Sequence, residues 1–310
     1  MAWQLTGTRV GLTSTSSRPD PSRRGKRAAR EGRPYRPREL RDAGISPSKA
    51  LGQHFLTDYA YVNRIVVGAD LGPGDTVVEI GPGLGVLTER LATAARRVIA
   101  VELDTELAAR LRDTAPANVT VVEGDALTVE PAELLEAAGL TADAPYVLAG
   151  NLPYNVGTAI VRRFLEADHP PLRIVVMLQK EVAEGMTAPA GELGLLGVSV
   201  QIYAHARKLF NVPPWAFYPP PRVTSGVVRL DERETPLIAP AERERFFRVV
   251  RAGFNAPRKQ LRNTLAQGLG MPPAEIAAAI RAEGLLPELR PQQLRVEDWL
   301  RLSRRLGDTT

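Results

Sequence analysis

The chain has no cysteine, only 3 histidines and 5% aromatic residues. The first absence excludes disulfides, a cysteine nucleophile, thiolate zinc sites and cysteine-held iron–sulfur clusters. His54, His169 and His205 are scattered and fall in no metal-ligand spacing, so no metal is expected. No apolar run approaches the roughly 20 residues that span a bilayer, and no membrane partner is expected. What the sequence does have is length and unevenly placed charge. Its 310 residues, 44% hydrophobic, suffice for one large domain and a smaller one. Residues 1–45 carry 11 basic and 4 acidic side chains, residues 46–240 carry 16 and 23, and residues 241–310 carry 13 and 8. Basic ends around an acidic middle suggest a polyanion held by the flanks, although such runs also mark an ordinary solvated surface.

Residues 1–45 are rich in Arg, Ser, Pro and Gly without hydrophobic periodicity, which predicts a disordered basic tail. The tail lacks the apolar core of a secretory signal. Its arginines and serines resemble a transit peptide, but its acidic residues and prolines weigh against that, and a start further downstream is the other reading. Beyond it, a helical stretch, Tyr59–Ala69, is followed by apolar runs at Thr76–Ile80, Arg97–Val101, Val119–Val122, Tyr146–Ala149 and Ile174–Leu178. Helical periodicity fills the gaps at Gly85–Ala94, Thr105–Arg112 and Gly157–Glu166. Short buried strands alternating with helices predict a doubly wound α/β domain with a mainly parallel sheet. Such domains bind ligands beyond the carboxyl ends of their strands.

Four successive strand ends carry chemistry. The first reads Glu79-Ile80-Gly81-Pro82-Gly83-Leu84-Gly85, a glycine turn that lets backbone approach a ligand; its spacing is G-x-G-x-G, not the G-x-G-x-x-G of dinucleotide folds. The second ends at Glu102, an acid able to accept from both ribose hydroxyls of an adenosine. The third ends at Asp125, suited to an adenine amino group. The fourth is Asn151-Leu152-Pro153-Tyr154, where Pro153 stiffens the turn, an amide can read a base edge and a phenol can stack on a base face. Alone, each is also an ordinary turn, a solvated acid or a helix cap. Their order on four consecutive strand ends argues for a functional set.

That ordered set resembles the adenosine-binding face of class I S-adenosylmethionine-dependent methyltransferases, which implies a Rossmann-like sheet. With Gly52–Leu56, Gln179–Ala183, Phe217–Val223 and Phe254–Leu265, the chain resembles the ribosomal RNA adenine dimethyltransferase family. The resemblance implies that His54, Leu56, Gly81, Gly83, Glu102, Asp125 and Asn151 contact S-adenosylmethionine, with Glu102 on the ribose, Asp125 on the adenine amine and Gly81 near the methionine part. Gln53 and Phe55 would help to close the pocket. Asn151, Leu152 and Tyr154 would receive the target adenine, and Phe217 would form a second wall of its pocket; Trp215 reads instead as an aromatic plug of the sheet.

After a linker at Asp231–Pro240, helical patterns cover Ala241–Gly253, Pro257–Gly268, Pro273–Glu283 and Pro291–Leu306. Arg258 and Arg262 recur at i and i+4, as do Leu261 and Leu265, so one helix face could pack while another presents cations. An ordinary amphipathic surface helix has the same pattern. The resemblance points to RNA contact by Arg258, Lys259 and Arg262. The expected organisation is a tail over 1–45, a methyltransferase domain over 46–237 and a helical RNA-binding domain over 238–310.

The resemblance implies N6-dimethylation of two adjacent adenines near the 3′ end of small-subunit ribosomal RNA, on a pre-30S particle, by a cytoplasmic monomer with a part in ribosome assembly. Three rivals remain. One is the related branch that dimethylates large-subunit RNA and confers macrolide resistance, another a non-catalytic RNA-binding assembly factor, and the third and most distant a nicotinamide oxidoreductase. The chain departs from the family pattern at Gly157-Thr158-Ala159, at Gly185, at Leu193-Gly194-Leu195 and at Val223-Thr224-Ser225, mainly on the substrate side.

Overall fold

A computed structural model describes residues 46–48 and 51–307. The tail expected over residues 1–45 lies outside the described residues. The chain enters through a two-residue strand, β1 (Phe55–Leu56), and a helix, α1 (Tyr59–Ala69). Asp58 caps α1, its carboxylate accepting from the Ala60 N–H at 2.9 Å and so satisfying a donor the helix cannot. Strands and helices then alternate: β2 (Thr76–Ile80), α2 (Val86–Ala94), β3 (Arg97–Glu102), α3 (Thr105–Thr114), β4 (Val119–Glu123), α4 (Pro131–Ala137), β5 (Val147–Asn151), α5 (Gly157–Leu165), β6 (Arg173–Gln179) and α6 (Lys180–Met186). Helix α7 (Leu195–Gln201) leads to β7 (Ala204–Val212), the short β8 (Phe217–Tyr218) and β9 (Ser225–Glu232).

The main sheet has seven strands in the order β4-β3-β2-β5-β6-β9-β7. β4, β3, β2, β5 and β6 are mutually parallel, whereas β9 runs antiparallel to both β6 and β7. Helices cover both faces, so strands such as Thr76–Ile80 are buried throughout and read as continuous apolar runs. The period of two still divides their side chains. Val78, Ile99 and Leu148 pack with Leu134 and Phe164 on one face, while Val77, Val98 and Ala149 pack with Ile65 and Leu91 on the other. Truncating a core residue such as Leu148, fully buried, costs about 2–5 kcal/mol.

The chain winds outward from β2 through β3 to β4, then returns to lay β5 on the other side of β2. The crevice between β2 and β5 is therefore the topological switch point, where doubly wound sheets bind ligands. Gly81 and Asn151 both lie there.

A second core gathers α8 (Arg243–Phe254), α9 (Leu261–Leu269), α10 (Pro273–Ala282) and α11 (Val296–Gly307) around the fully buried Trp299. It also takes in Leu193, Val198 and Ile202, so α7 packs beneath the carboxy-terminal helices. Gly253 permits this closeness, since a Cβ there would lie 2.3 Å from the Trp299 ring.

Three expected boundaries move. β9 continues to Glu232 because Asp231 stays in register with Arg173 and its carboxylate accepts from Arg173 Nε and Arg229 Nε at 2.9 Å, shortening the linker. The pattern over Pro291–Leu306 divides into a 3₁₀ turn at Pro291–Gln293 and α11. The helix expected from Pro257 begins only at Leu261, after an extended Gln260 (φ −68°, ψ 145°). Arg258 and Lys259 thus sit on the turn before α9, and Arg258 shares no helix face with Arg262.

Candidate active site

One pocket opens at the carboxyl ends of β2 to β5. Its lining includes His54, Leu56, Gly81, Gly83, Glu102 and Asp125. Asn151, Leu152 and Tyr154 line it as well, so residues spread over a hundred positions of sequence converge. The ladder carries each loop to its place: the Gly81 N–H donates to Val101 O at 2.9 Å, that of Gly124 to Glu102 O at 2.9 Å, and that of Leu152 to Met177 O at 3.2 Å. Gly81 and Gly83 have φ of 67° and 56°, a left-handed conformation that side chains disfavour. A Cβ on Gly83 would also press within 3.0 Å of the Phe55 ring.

Glu102 is held by backbone hydrogen bonds. Its carboxylate accepts from the Gly83 N–H at 2.9 Å and from the Asp104 N–H at 3.0 Å, tying the glycine turn to the end of β3. Burial raises its pKa, and the hydrogen bonds from Asp104 and Gly83 oppose that rise. Asp125 holds the Leu127 N–H at 2.9 Å. Glu79, on β2, is pushed up to about 8, first by burial; the Thr88 hydroxyl offsets part of the shift and the Glu102 charge adds to it. Its Oε2 is buried with no hydrogen-bond partner.

The segment before β1 closes one side. Gln53 Nε2 donates to Asp104 Oδ2 at 2.9 Å, while Gln53 Oε1 accepts from the Ser48 N–H at 2.8 Å. The backbone carbonyl of His54 accepts from Asn151 Nδ2 at 2.8 Å. That bond orients the amide and leaves Oδ1 as its acceptor. Tyr154, half-buried, meets Ser225 Oγ at 2.6 Å, and burial raises its pKa so that the phenol stays neutral.

Phe217 sits on the short β8. It does not line the pocket; only 4% exposed, it packs with Leu56, Val62 and Ala216. Pairing of β8 with β1 places Leu56 opposite Phe217 and Phe55 opposite Tyr218, and alternation sends the two residues of each strand to opposite sides. Trp215 joins the same apolar cluster. The cations expected to meet RNA are distant in kind: Arg258 and Lys259 are exposed on their turn, and Arg262 pairs with Glu288 at 3.5 Å. Sequence reading gave no role to Glu79 or Ser225. Glu79 had a signal, a lone acid inside an apolar strand; Ser225 had none, since its partner lies 71 residues away.

Among the described residues no group of three or more His, Cys, Asp or Glu is placed to hold a metal, and no helix is long and apolar enough to cross a membrane. The profile of the ribosomal RNA adenine dimethylase family matches residues 46–308. The chain belongs to that family. It is accordingly an rRNA adenine dimethyltransferase. Ribosomal RNA small subunit methyltransferase A of Dehalococcoides mccartyi is 44% identical over 253 residues, 81% of this chain and 85% of that protein. Among solved structures, 23S rRNA methyltransferase ErmE is 32% identical with a TM-score of 0.65, covering 81% of this chain and 99% of its own. A dimethyladenosine transferase from Plasmodium falciparum, 24% identical with a TM-score of 0.67, covers 80% of this chain and 96% of its own and shares the fold.

Proposed function

We propose that this chain uses S-adenosylmethionine to dimethylate N6 of two adjacent adenines near the 3′ end of small-subunit ribosomal RNA. The observation that carries this reading is the Asn151 amide, tied through Nδ2 to His54 at the switch point with Oδ1 left to accept. The pocket suits the cofactor chemically. Glu102 and Asp125 offer carboxylates on neighbouring strand ends for ribose hydroxyls and an adenine amine, Gly81 and Gly83 leave room for backbone approach, and Oε2 of Glu79 is a buried polar atom in its lining with no hydrogen-bond partner in the protein. His54 and Leu56 complete the wall. When bound, the cofactor supplies an electrophilic methyl group.

The protein's own residues do the rest. Asn151 Oδ1 and the Leu152 carbonyl accept from the adenine amino group, which makes N6 more tetrahedral and aims its lone pair. Tyr154 stacks on the base once it is turned out of its RNA loop. Positioning supplies most of the rate, and the methylated amine loses its proton to water without a dedicated base. Residues 238–310 bind RNA, with Arg258 and Lys259 free of ion pairs among the described residues and Arg262 in a supporting place. The substrate is a pre-30S particle, and the enzyme works as a cytoplasmic monomer with a part in assembly.

A second reading, large-subunit RNA as substrate, draws on the 32% identity to ErmE; the 44% identity to a small-subunit enzyme favours the first. Incubation with unmodified small and large subunits and labelled S-adenosylmethionine decides. Label on two adjacent adenines of the small-subunit RNA is expected; label confined to the large subunit overturns it.

A further inference from the structure

Two contacts from outside the Asn151–Tyr154 loop hold the Tyr154 ring. At its tip, the phenol oxygen lies 2.6 Å from Ser225 Oγ. Ser225 is fully buried and opens β9, in register with Gln179 of β6 on one side and Val212 of β7 on the other. A serine laddered on both sides cannot swing with a loop, so its hydroxyl is a fixed point on the sheet. Against the ring, the His54 imidazole lies stacked with centroids 5.7 Å apart and planes at 26°. His54 is itself anchored twice. Its Nδ1 is 2.7 Å from the Pro219 carbonyl oxygen, which requires the proton on Nδ1, and its own carbonyl accepts from Asn151 Nδ2.

We propose that Ser225 and His54 are positioning residues for Tyr154: the serine hydroxyl fixes the tip of the phenol, the imidazole backs one face, and the target adenine stacks on the other. This rests on the reading of the Asn151–Tyr154 loop as the acceptor of that adenine. An unrestrained tyrosine on a loop must be ordered when the base arrives, whereas one pinned at tip and face is ordered beforehand, and that saving appears in binding and in rate. The arrangement also couples both substrate-reading groups to a single residue, since His54 holds Asn151 through its backbone and Tyr154 through its ring.

A double-mutant cycle on the full chain tests the serine. Ser225→Ala, Tyr154→Phe and the double variant are compared for kcat and KM of methyl transfer to small subunits, with cofactor Kd measured by calorimetry. Each single change is expected to lower kcat/KM about tenfold, and the double change also about tenfold, because all three delete the same hydrogen bond. Cofactor Kd stays the same. Losses that multiply to about a hundredfold, or no loss in either single variant, overturn the proposal. Should Ser225→Ala not fold, Tyr154→Phe decides alone, since it leaves the buried serine in place: unchanged kcat/KM overturns it.

The histidine is tested with 2-aminopurine replacing the target adenine in an RNA hairpin, stacking being read as fluorescence quenching. His54→Ala, which keeps the backbone carbonyl for Asn151, is expected to weaken the quench; an equal or stronger quench means that the imidazole occupies the base's own place and overturns its supporting role. Wild-type protein that methylates no adenine sinks the assigned function itself, whereas wild-type transfer with multiplicative losses sinks only the positioning.

Discussion

At the carboxyl ends of β2 to β5, each functional side chain is held by something else: Glu102 by two backbone N–H groups, Gln53 by Asp104, Asn151 by the His54 carbonyl, Tyr154 by Ser225. At the start of α9, Arg258 and Lys259 stand exposed on a turn with no ion pair among the described residues. The difference matches what each end is proposed to recognise. A small cofactor and a single base demand fixed directions, which a laddered sheet provides. A polyanion demands charge within reach, which mobile side chains meet as well as rigid ones.

Removing a directional group should therefore cost more than removing a cation. The largest effect is expected for Asn151→Ala, which deletes the acceptor and the bond to His54: methyl transfer should fall by at least about a hundredfold while the melting temperature stays near that of the parent. Transfer near the parent rate would break the contrast at its strongest point. Next comes Glu102→Gln, which keeps the size but loses the charge that two N–H groups and a ribose would share. It should raise the Kd for S-adenosylmethionine by about 10–100-fold in calorimetry.

Glu79 sharpens the same side through pH. Near its ordinary value of 4.5 and below, folded and unfolded chains both hold the proton, and the residue costs nothing. As pH rises towards about 8 the unfolded chain releases that proton while the folded one keeps it, so stability declines and then levels off. Glu79→Gln should thus stabilise the cofactor-free protein at pH 8 by about 1–2 kcal/mol and not at pH 4.5, as read from thermal melts. A gain that is the same at both pH values would contradict the buried, protonated carboxyl. The smallest effects belong to the cations. Arg258→Ala and Lys259→Ala should each weaken RNA binding about threefold and flatten its salt dependence by about one charge, with cofactor affinity untouched. Arg262→Ala, already paired with Glu288, should do less.

How much of this was legible follows the same divide. The strands could be read because β-branched runs such as Thr76-Val77-Val78 can be buried on both faces in one way only, under helices, and the strand ends could be read because their order matched the winding of the sheet. The start of α9 could not, because Arg258 and Arg262 fit a helical spacing whose first turn Pro257 and the extended Gln260 do not form. Resemblance places Phe217 beside the target base, and which way it faces is set by pairing with β1, where a shift of one position reverses a strand residue.

By itself, then, the sequence determined the layers of the sheet and which strand ends gather around one pocket, since both are written in local pattern and in the order of motifs along the chain. Only the tertiary structure decided which nitrogen and oxygen of the Asn151 amide face where, that Ser225 meets Tyr154, that Phe217 turns inward and that α7 joins the second core. Those relations are set between segments tens to over a hundred residues apart, where no spacing along the chain carries the information and packing alone selects the neighbour.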